Sequence, residues 1–330
     1  MSLNILVTGG AGYIGSHTLR HLLACGYNAW VFDSLELGHA QAVPPGRLLR
    51  GDLLCRDDLE RVFSQRRYDA VIHFAAYSLV SESLQQPQRY YHNNVIGSLQ
   101  LFEAMRRHGV QRIVFSSTCA TYGIPERVPI DEETPQRPIN PYGNTKLIIE
   151  LALRDWARCL GWAVGILRYF NAAGASASGE LGEDHRPESH LIPLLLQQAL
   201  GQRPVFSILG VDYPTADGTC VRDYIHVEDL AEAHLRALER LRAGEALICN
   251  LGTGQGHSVR EVIAAVEAVT GRSILTREGP RRHGDPPVLV ADASKAAQVL
   301  GWQPRYRCIR AIVETAWNWY RRHPHGYASP

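Results

Sequence analysis

The segment that most constrains this chain lies at its start, where an apolar run leads into Thr8-Gly9-Gly10-Ala11-Gly12-Tyr13-Ile14-Gly15. The glycines satisfy both Gly-x-x-Gly-x-x-Gly and Gly-x-Gly-x-x-Gly spacings, the pattern of a strand that turns sharply into a helix against a dinucleotide. Glycine is needed there because a side chain would collide with a pyrophosphate. The free N–H groups and positive dipole end of the helix then attract the phosphates without a basic cluster. A glycine turn by itself also has a purely structural reading, so the remainder of the chain must decide.

Further apolar runs at 29–33, 48–52, 70–74, 112–116 and 163–168 read as buried parallel strands, separated by amphipathic stretches. Strand alternating with helix predicts an α/β fold: a Rossmann-like, doubly wound parallel sheet, since parallel strands need crossover helices. A chain of 330 residues exceeds what one core usually serves. We therefore expect a dinucleotide-binding domain over 1–175 and a smaller α/β domain over 176–330. The small and charged residues of 173–190 form a linking loop. Strand, helix and strand signals over 222–250 suggest a return to the large domain.

Asp33 closes the second strand about 20 residues beyond the glycines, where a carboxylate accepts both ribose hydroxyls and repels a 2′-phosphate. This predicts NAD rather than NADP. Asp52-Leu53 at the next strand end suits the adenine edge, or is simply a turn, and Phe74-Ala75-Ala76 suits the middle of the cofactor.

Pro141-Tyr142-Gly143-Asn144-Thr145-Lys146 opens a helix, so Tyr142 and Lys146 share one face a turn apart, downstream of the strand end Ser116-Ser117-Thr118. A phenol of pKa about 10 is a weak base at neutral pH, but an ammonium and a nicotinamide ring both favour phenolate. Tyr142 can then take a hydroxyl proton, with Thr118 bonded to the same oxygen and Lys146 holding the nicotinamide ribose.

Several function classes are disfavoured. A formal charge of +1 offers no field for nucleic acid or an anionic membrane, and no run is long enough to span a bilayer. Seven cysteines without Cys-x-x-Cys spacing predict reduced thiols in the cytoplasm, and no signal-peptide pattern opens the chain. No metal site is expected: His17 and His21 lie a turn apart, but Thr18 stands where a metalloprotease needs glutamate. Cys119 reads as apolar filler rather than a nucleophile. The last residues, 323–330, read as a frayed end.

Taken together, Thr8 to Gly15, His73-Phe74-Ala75-Ala76, Tyr91-His92-Asn93-Asn94-Val95, Ser116-Ser117-Thr118, Tyr142 to Lys146 and Arg168-Tyr169-Phe170-Asn171 resemble the UDP-galactose 4-epimerases of the extended short-chain dehydrogenase/reductase family. Gly210 to Thr215, Asp217 to Val227, Arg281-Arg282-His283-Gly284-Asp285 and Ala291 to Lys295 extend the likeness to nearly the whole chain. The resemblance implies that Tyr142 removes the sugar O4 proton while C4 passes hydride to NAD, and that the 4-keto sugar turns over and takes the hydride back. It adds Tyr13, Ile14, Ser34, Asn93, Ser116 and Phe170 to the glycines, Asp33, Asp52, Leu53, Phe74, Ala75, Ala76, Tyr142 and Lys146 as cofactor contacts. It assigns Asn171, His190, Leu191, Ser207, Ile208, Leu209, Arg222, Arg282 and Asp285 to the UDP part, beside Thr118 and Tyr142. Some family members have lysine where Ser78 stands and a bulky or small pocket residue where Leu289 stands. The resemblance also implies a homodimer through the helices at 89–108 and 142–160.

Three rivals share these features. Nucleotide-sugar dehydratases usually have carboxylates after the threonine, where this chain has Cys119-Ala120. Uronate, pentose and N-acetylhexosamine 4-epimerases differ only in pocket contacts. A non-enzymatic NAD-sensing module would be expected to lose the tyrosine or lysine.

Overall fold

The computed structural model describes residues 2–282 and 285–327. Its first half alternates strand and helix: β1 (Asn4–Thr8), α1 (Tyr13–Ala24), β2 (Asn28–Asp33), β3 (Leu48–Arg50), α2 (Arg56–Gln65), β4 (Ala70–His73), α3 (Val80–Gln85) and α4 (Pro87–Tyr90). A π-helical stretch, Tyr91–Ile96, leads into α5 (Gly97–Arg107), followed by β5 (Arg112–Thr118), α6 (Pro141–Leu160), β6 (Ala163–Tyr169) and the short β7 (Asn171–Ala173). The second half holds α7 (Leu191–Ala199), β8 (Phe206–Leu209), β9 (Val221–His226), α8 (Val227–Arg240), β10 (Ala246–Leu251), β11 (Gly256–Ser258) and α9 (Val259–Thr270). It ends with β12 (Thr276–Gly279), β13 (Val288–Leu289), α10 (Ser294–Leu300) and α11 (Ile309–Arg322).

Among the described residues the main sheet has seven parallel strands in the order β10-β6-β5-β4-β1-β2-β3. The order reverses between β1 and β4, which opens a crevice at their carboxyl ends where doubly wound sheets bind ligands. Both faces are covered, as parallel sheets require. Leu19, Leu22, Leu230 and Leu238 from α1 and α8 fill one side, and Leu59, Phe63, Phe102, Met105 and Leu153 from α2, α5 and α6 the other. The return of β10 to pair with β6 explains the strand and helix signals late in the sequence. β3 stops at Arg50, two residues short of the expected end: the Gly51 N–H makes the last rung to the Asp33 carbonyl, and Asp52 then enters a turn by accepting from the Leu54 N–H.

A smaller lobe stands above the strand ends. Its strands β7, β9, β11 and β13 form one sheet and β8 pairs with β12. Ile192, Leu196, Val262, Val266, Ile312, Val313 and Trp319 pack its core. The tail departs from the frayed end expected: His323 stacks on Trp319 at 3.8 Å between ring centroids, and Tyr327 is buried with its N–H on Asp184 Oδ2. Residues 328–330 lie outside the described residues.

Candidate active site

Between the lobes lies a cleft of about 810 Å³. Its floor is the switch point of the sheet. Gly9 adopts φ +70°, and a Cβ there would sit 2.4 Å from the Ala75 nitrogen, while one at Gly15 would sit 2.3 Å from the Gly9 carbonyl oxygen. These two glycines pack backbone against backbone. Gly12 differs, because its Cβ would meet only the Gly9 oxygen at 3.3 Å and the position otherwise opens to the cleft. No side chain caps α1 and its first turn has no acid, so its N–H groups remain available to phosphate.

Asp33 faces the same cleft at 9 % exposure, with Oδ2 accepting from the Ala11 N–H at 3.0 Å and Oδ1 from the Leu35 N–H at 2.9 Å. Burial raises its carboxyl above the usual range, and the two backbone bonds oppose that shift. Leu35, held at φ +62°, bends the chain just beyond Asp33, and Glu36, Leu37 and Gly38 after it also line the cleft. Asp52 both forms a turn, accepting from the Leu54 N–H at 2.8 Å, and lines the cleft, so the two readings of that residue are compatible. An uncapped helix start, a side-chain-free approach at Gly12 and a carboxylate at the second strand end fit NAD.

The centre of the cleft is set by α6. Asn140 caps it by accepting from the Gly143 N–H at 2.8 Å, Pro141 occupies its first turn, and Gly161 ends it at φ +72°. A Cβ at Gly143 would lie 2.6 Å from the Ala120 carbonyl oxygen, so only glycine lets the helix start press against the end of β5. That contact brings Tyr142 beside Thr118. Lys146, 3 % exposed, donates to the Ser116 carbonyl at 2.8 Å and stands 6.0 Å from the Tyr142 ring centroid. Burial lowers the Lys146 ammonium to about 7, against a smaller opposing pull from Glu150. Burial, then Tyr169, pushes the Tyr142 phenol well above its ordinary range, and the Thr118 hydroxyl acts in the opposite direction. Cys119 is buried, and its thiol is pushed up to about 12.

The expected site residues converge. Those of the glycine turn, Ser34, Leu53, Phe74, Ala75, Ala76, Asn93, Ser116 and Phe170 line this cleft, and so do Asn171, His190, Leu191, Ser207, Leu209, Arg222, Arg282 and Asp285. Ile208 is the correction. It is 1 % exposed in the small-lobe core, because alternation along β8 turns Ser207 and Leu209 to the cleft and Ile208 away. Arg222 approaches Asp285 at 3.7 Å and is 12 % exposed, unlike an ordinary surface arginine. His283 and Gly284, in the same motif, lie outside the described residues.

Sequence reasoning missed Arg203 and Arg277, which line the same cleft as Arg282, with Arg277 donating to the Ser207 hydroxyl at 2.8 Å. It also missed Tyr169, whose hydroxyl pairs with that of Ser116. Only Tyr169 had a signal, its place within the Arg168 to Asn171 motif. Buried Asn94 bridges Tyr77, through both backbone groups, and the Thr145 hydroxyl, which steadies the cofactor-side loop against α6.

A doubly wound sheet whose glycine turn, acidic strand end and tyrosine–lysine pair share one cleft defines a class of dinucleotide-dependent, tyrosine-based proteins. The chain belongs to the NAD dependent epimerase/dehydratase family, whose model matches residues 5–252. It is 53% identical over 328 residues to the UDP-glucose 4-epimerase of Halalkalibacterium halodurans, with 98% of each chain covered. Among solved structures, UDP-glucose 4-epimerase from Brucella ovis in complex with NAD aligns at TM-score 0.91 and 48% identity, over 96% of this chain and 97% of that one. The enzyme from Bifidobacterium longum in complex with NAD+ and UDP aligns at TM-score 0.95 and 40% identity, over 98% and 100%.

Proposed function

We propose that this protein interconverts UDP-galactose and UDP-glucose by reversible oxidation at C4, with NAD retained through the cycle. The observation that carries the reading is Tyr142, beside Thr118 and one turn from Lys146, in a cleft whose wall also holds the glycine turn and the side chains of Arg203, Arg222, Arg277 and Arg282. The relatives named above support it, being UDP-glucose 4-epimerases, one in complex with NAD and one with NAD+ and UDP.

NAD, when bound, supplies the acceptor for the C4 hydride and returns it. Every other duty falls to the chain. Tyr142 takes the O4 proton as C4 becomes a ketone and gives it back at the end, so it serves as base and then acid. Thr118 bonds the same oxygen, and Lys146 holds positive charge near the phenolate and fixes the nicotinamide ribose. Gly9, Gly12, Tyr13, Ile14, Gly15, Asp33, Ser34, Asp52, Leu53, Phe74, Ala75, Ala76, Asn93, Ser116 and Phe170 seat the remainder of the cofactor. Arg222 and Arg282 grip the diphosphate, as planar guanidinium groups suit. Asn171, His190, Leu191, Ser207, Leu209 and Asp285 hold the rest of the UDP while the ketone end turns. Leu289, 8 % exposed in the cleft wall, borders the sugar at the position tied to whether N-acetylated sugars fit.

Elimination of water is disfavoured because Cys119 and Ala120 follow Thr118 and a thiol held near 12 is no acid at neutral pH. The odd number of cysteines supports a reducing, cytoplasmic compartment, and no helix among the described residues is long and apolar enough to cross a membrane. A homodimer is part of the proposal. The π-helical stretch packs on α6, and Ile96, Leu99, Ile148 and Leu151 leave apolar side chains on the outer surface there, at 42, 39, 38 and 49 % exposure.

The test is to incubate the purified protein with UDP-galactose, without added NAD, and follow UDP-glucose in a coupled assay. Conversion is expected. No conversion even with NAD supplied would overturn the hexose assignment and direct attention to uronate, pentose or N-acetylated substrates.

A further inference from the structure

The loop between β7 and α7 brings together four side chains that the sequence reading left unconnected. Glu183, His185, Glu188 and His190 each present a ligand atom, all within 4.8 Å of one another. His190 Nδ1 lies 2.8 Å from Glu183 Oε1 and 3.1 Å from Glu188 Oε1. His185 Nδ1 lies 3.1 Å from Glu183 Oε1 and 3.8 Å from Glu188 Oε2. Both carboxylates are withdrawn from water, at 4 % and 2 % side-chain exposure.

Two features of this cluster point to a cation. The first is an unsatisfied atom. Glu188 Oε1 is fixed by the N–H groups of Ser189 and His190 at 2.7 and 2.9 Å, whereas its buried Oε2 has no hydrogen-bond partner. With His185 Nδ1 at 3.8 Å, beyond hydrogen-bond reach, this buried carboxylate oxygen has lost its hydration without a hydrogen bond in return. The second is charge. Among the described residues the ion pairs of Glu183 and Glu188 are made with these two histidines alone. A divalent ion that displaces the imidazole protons would meet two carboxylates and two nitrogen donors, the complement of its charge.

We propose that Glu183, His185, Glu188 and His190 form a structural zinc site. Metal–ligand bonds of about 2.0–2.2 Å in a tetrahedron separate neighbouring donors by roughly 3.4 Å, within the span of the four distances given. A set of two imidazoles and two carboxylates suits zinc, whereas magnesium and calcium take oxygen ligands. The four residues lie within one short loop, so the ion would close that loop under the start of α7, where His190 and Leu191 form part of the cleft wall. Its role is to hold that wall, and no step of the hydride chemistry passes through it.

The experiment uses tag-free protein, dialysed against a chelator and then titrated with Zn2+ alone, with metal content read by mass spectrometry and melting temperature by calorimetry. About one Zn2+ per chain and a rise in melting temperature on adding it are expected. His185→Ala, at a partly exposed position and so the milder change, should weaken uptake at least about tenfold while circular dichroism stays native. Glu183→Gln should do the same, and the control His21→Ala, a histidine outside the cluster, should bind as the unaltered chain does. Absence of stoichiometric uptake, or equal uptake by His185→Ala, would overturn the site.

Discussion

Tyr142 has to lose a proton in surroundings that resist it. Burial raises its phenol, and the nearest ammonium, on Lys146, is itself lowered to about 7 by the same burial. The side chain therefore reaches phenolate only with positive charge close by, and the nicotinamide ring of bound NAD is the charge best placed to add to that of Lys146. Tyr142→Phe removes the hydroxyl and nothing that touches the glycine turn. Its turnover of UDP-galactose should fall by about 10²–10⁴-fold, the usual share of a positioned acid–base group, while NAD stays bound by absorbance. Near-normal turnover, or loss of the cofactor from the variant, would remove Tyr142 from the role of proton carrier.

At the scale of elements, α6 is tied to the sheet by a buried ion pair. Glu150, one turn beyond Lys146, is fully buried and accepts from Arg168 Nε and Nη2 on β6 and from the Ser117 hydroxyl on β5. Arg168 also donates to the Tyr122 hydroxyl at 2.8 Å, and that hydroxyl donates to Asn250 on β10 at 2.7 Å. Breaking such a pair from one side leaves a buried charge alone. Glu150→Leu should thus destabilise the fold by about 3–5 kcal/mol in urea unfolding, with most of the loss recovered when Arg168→Leu is added. A double variant as unstable as the single would show that the loss comes from packing instead. The same pair marks the limit of sequence reading. Gly9 to Gly15, Asp33 and the Tyr142–Lys146 pair were legible because each is a local pattern within one strand, turn or helix. Glu150 and Arg168 lie on different elements, and although Arg168 opens a family-like motif, nothing in the sequence pairs it with Glu150. Arg203, Arg277 and the cluster at 183–190 were hidden for a similar reason, since their positions depend on how loops fold over the sheet. Ile208 was misassigned because a motif was carried over whole, whereas a strand sends alternate residues to opposite faces.

For the whole molecule, the open question is what covers the outer surface of α5 and α6. The side chains of Ile96, the last residue of the π-helical stretch, and Leu99 on α5 lie one turn apart, as do those of Ile148 and Leu151 on α6. All four are more than one-third exposed, on helices that otherwise pack into the main core through Leu101, Met105, Ile149 and Leu153. Isolated apolar residues on a surface are ordinary, but a patch on adjoining helices is the usual mark of an interface. A two-fold axis through it would set the same two segments of each copy against one another, a self-complementary arrangement of four helices. Burying a leucine or isoleucine contributes about 1.5–3 kcal/mol, and the symmetry counts each one twice. Light scattering at micromolar concentration should therefore give twice the 36.7 kDa chain mass. Replacing Leu99 and Leu151 together by glutamate should give the single-chain mass, because each charge would then face a desolvated partner surface. The cleft opens at the strand ends and not at this face, so the separated chains should still bind NAD. A single-chain mass for the unaltered protein would remove the dimer, and a double-mass peak that survives both substitutions would place the interface elsewhere.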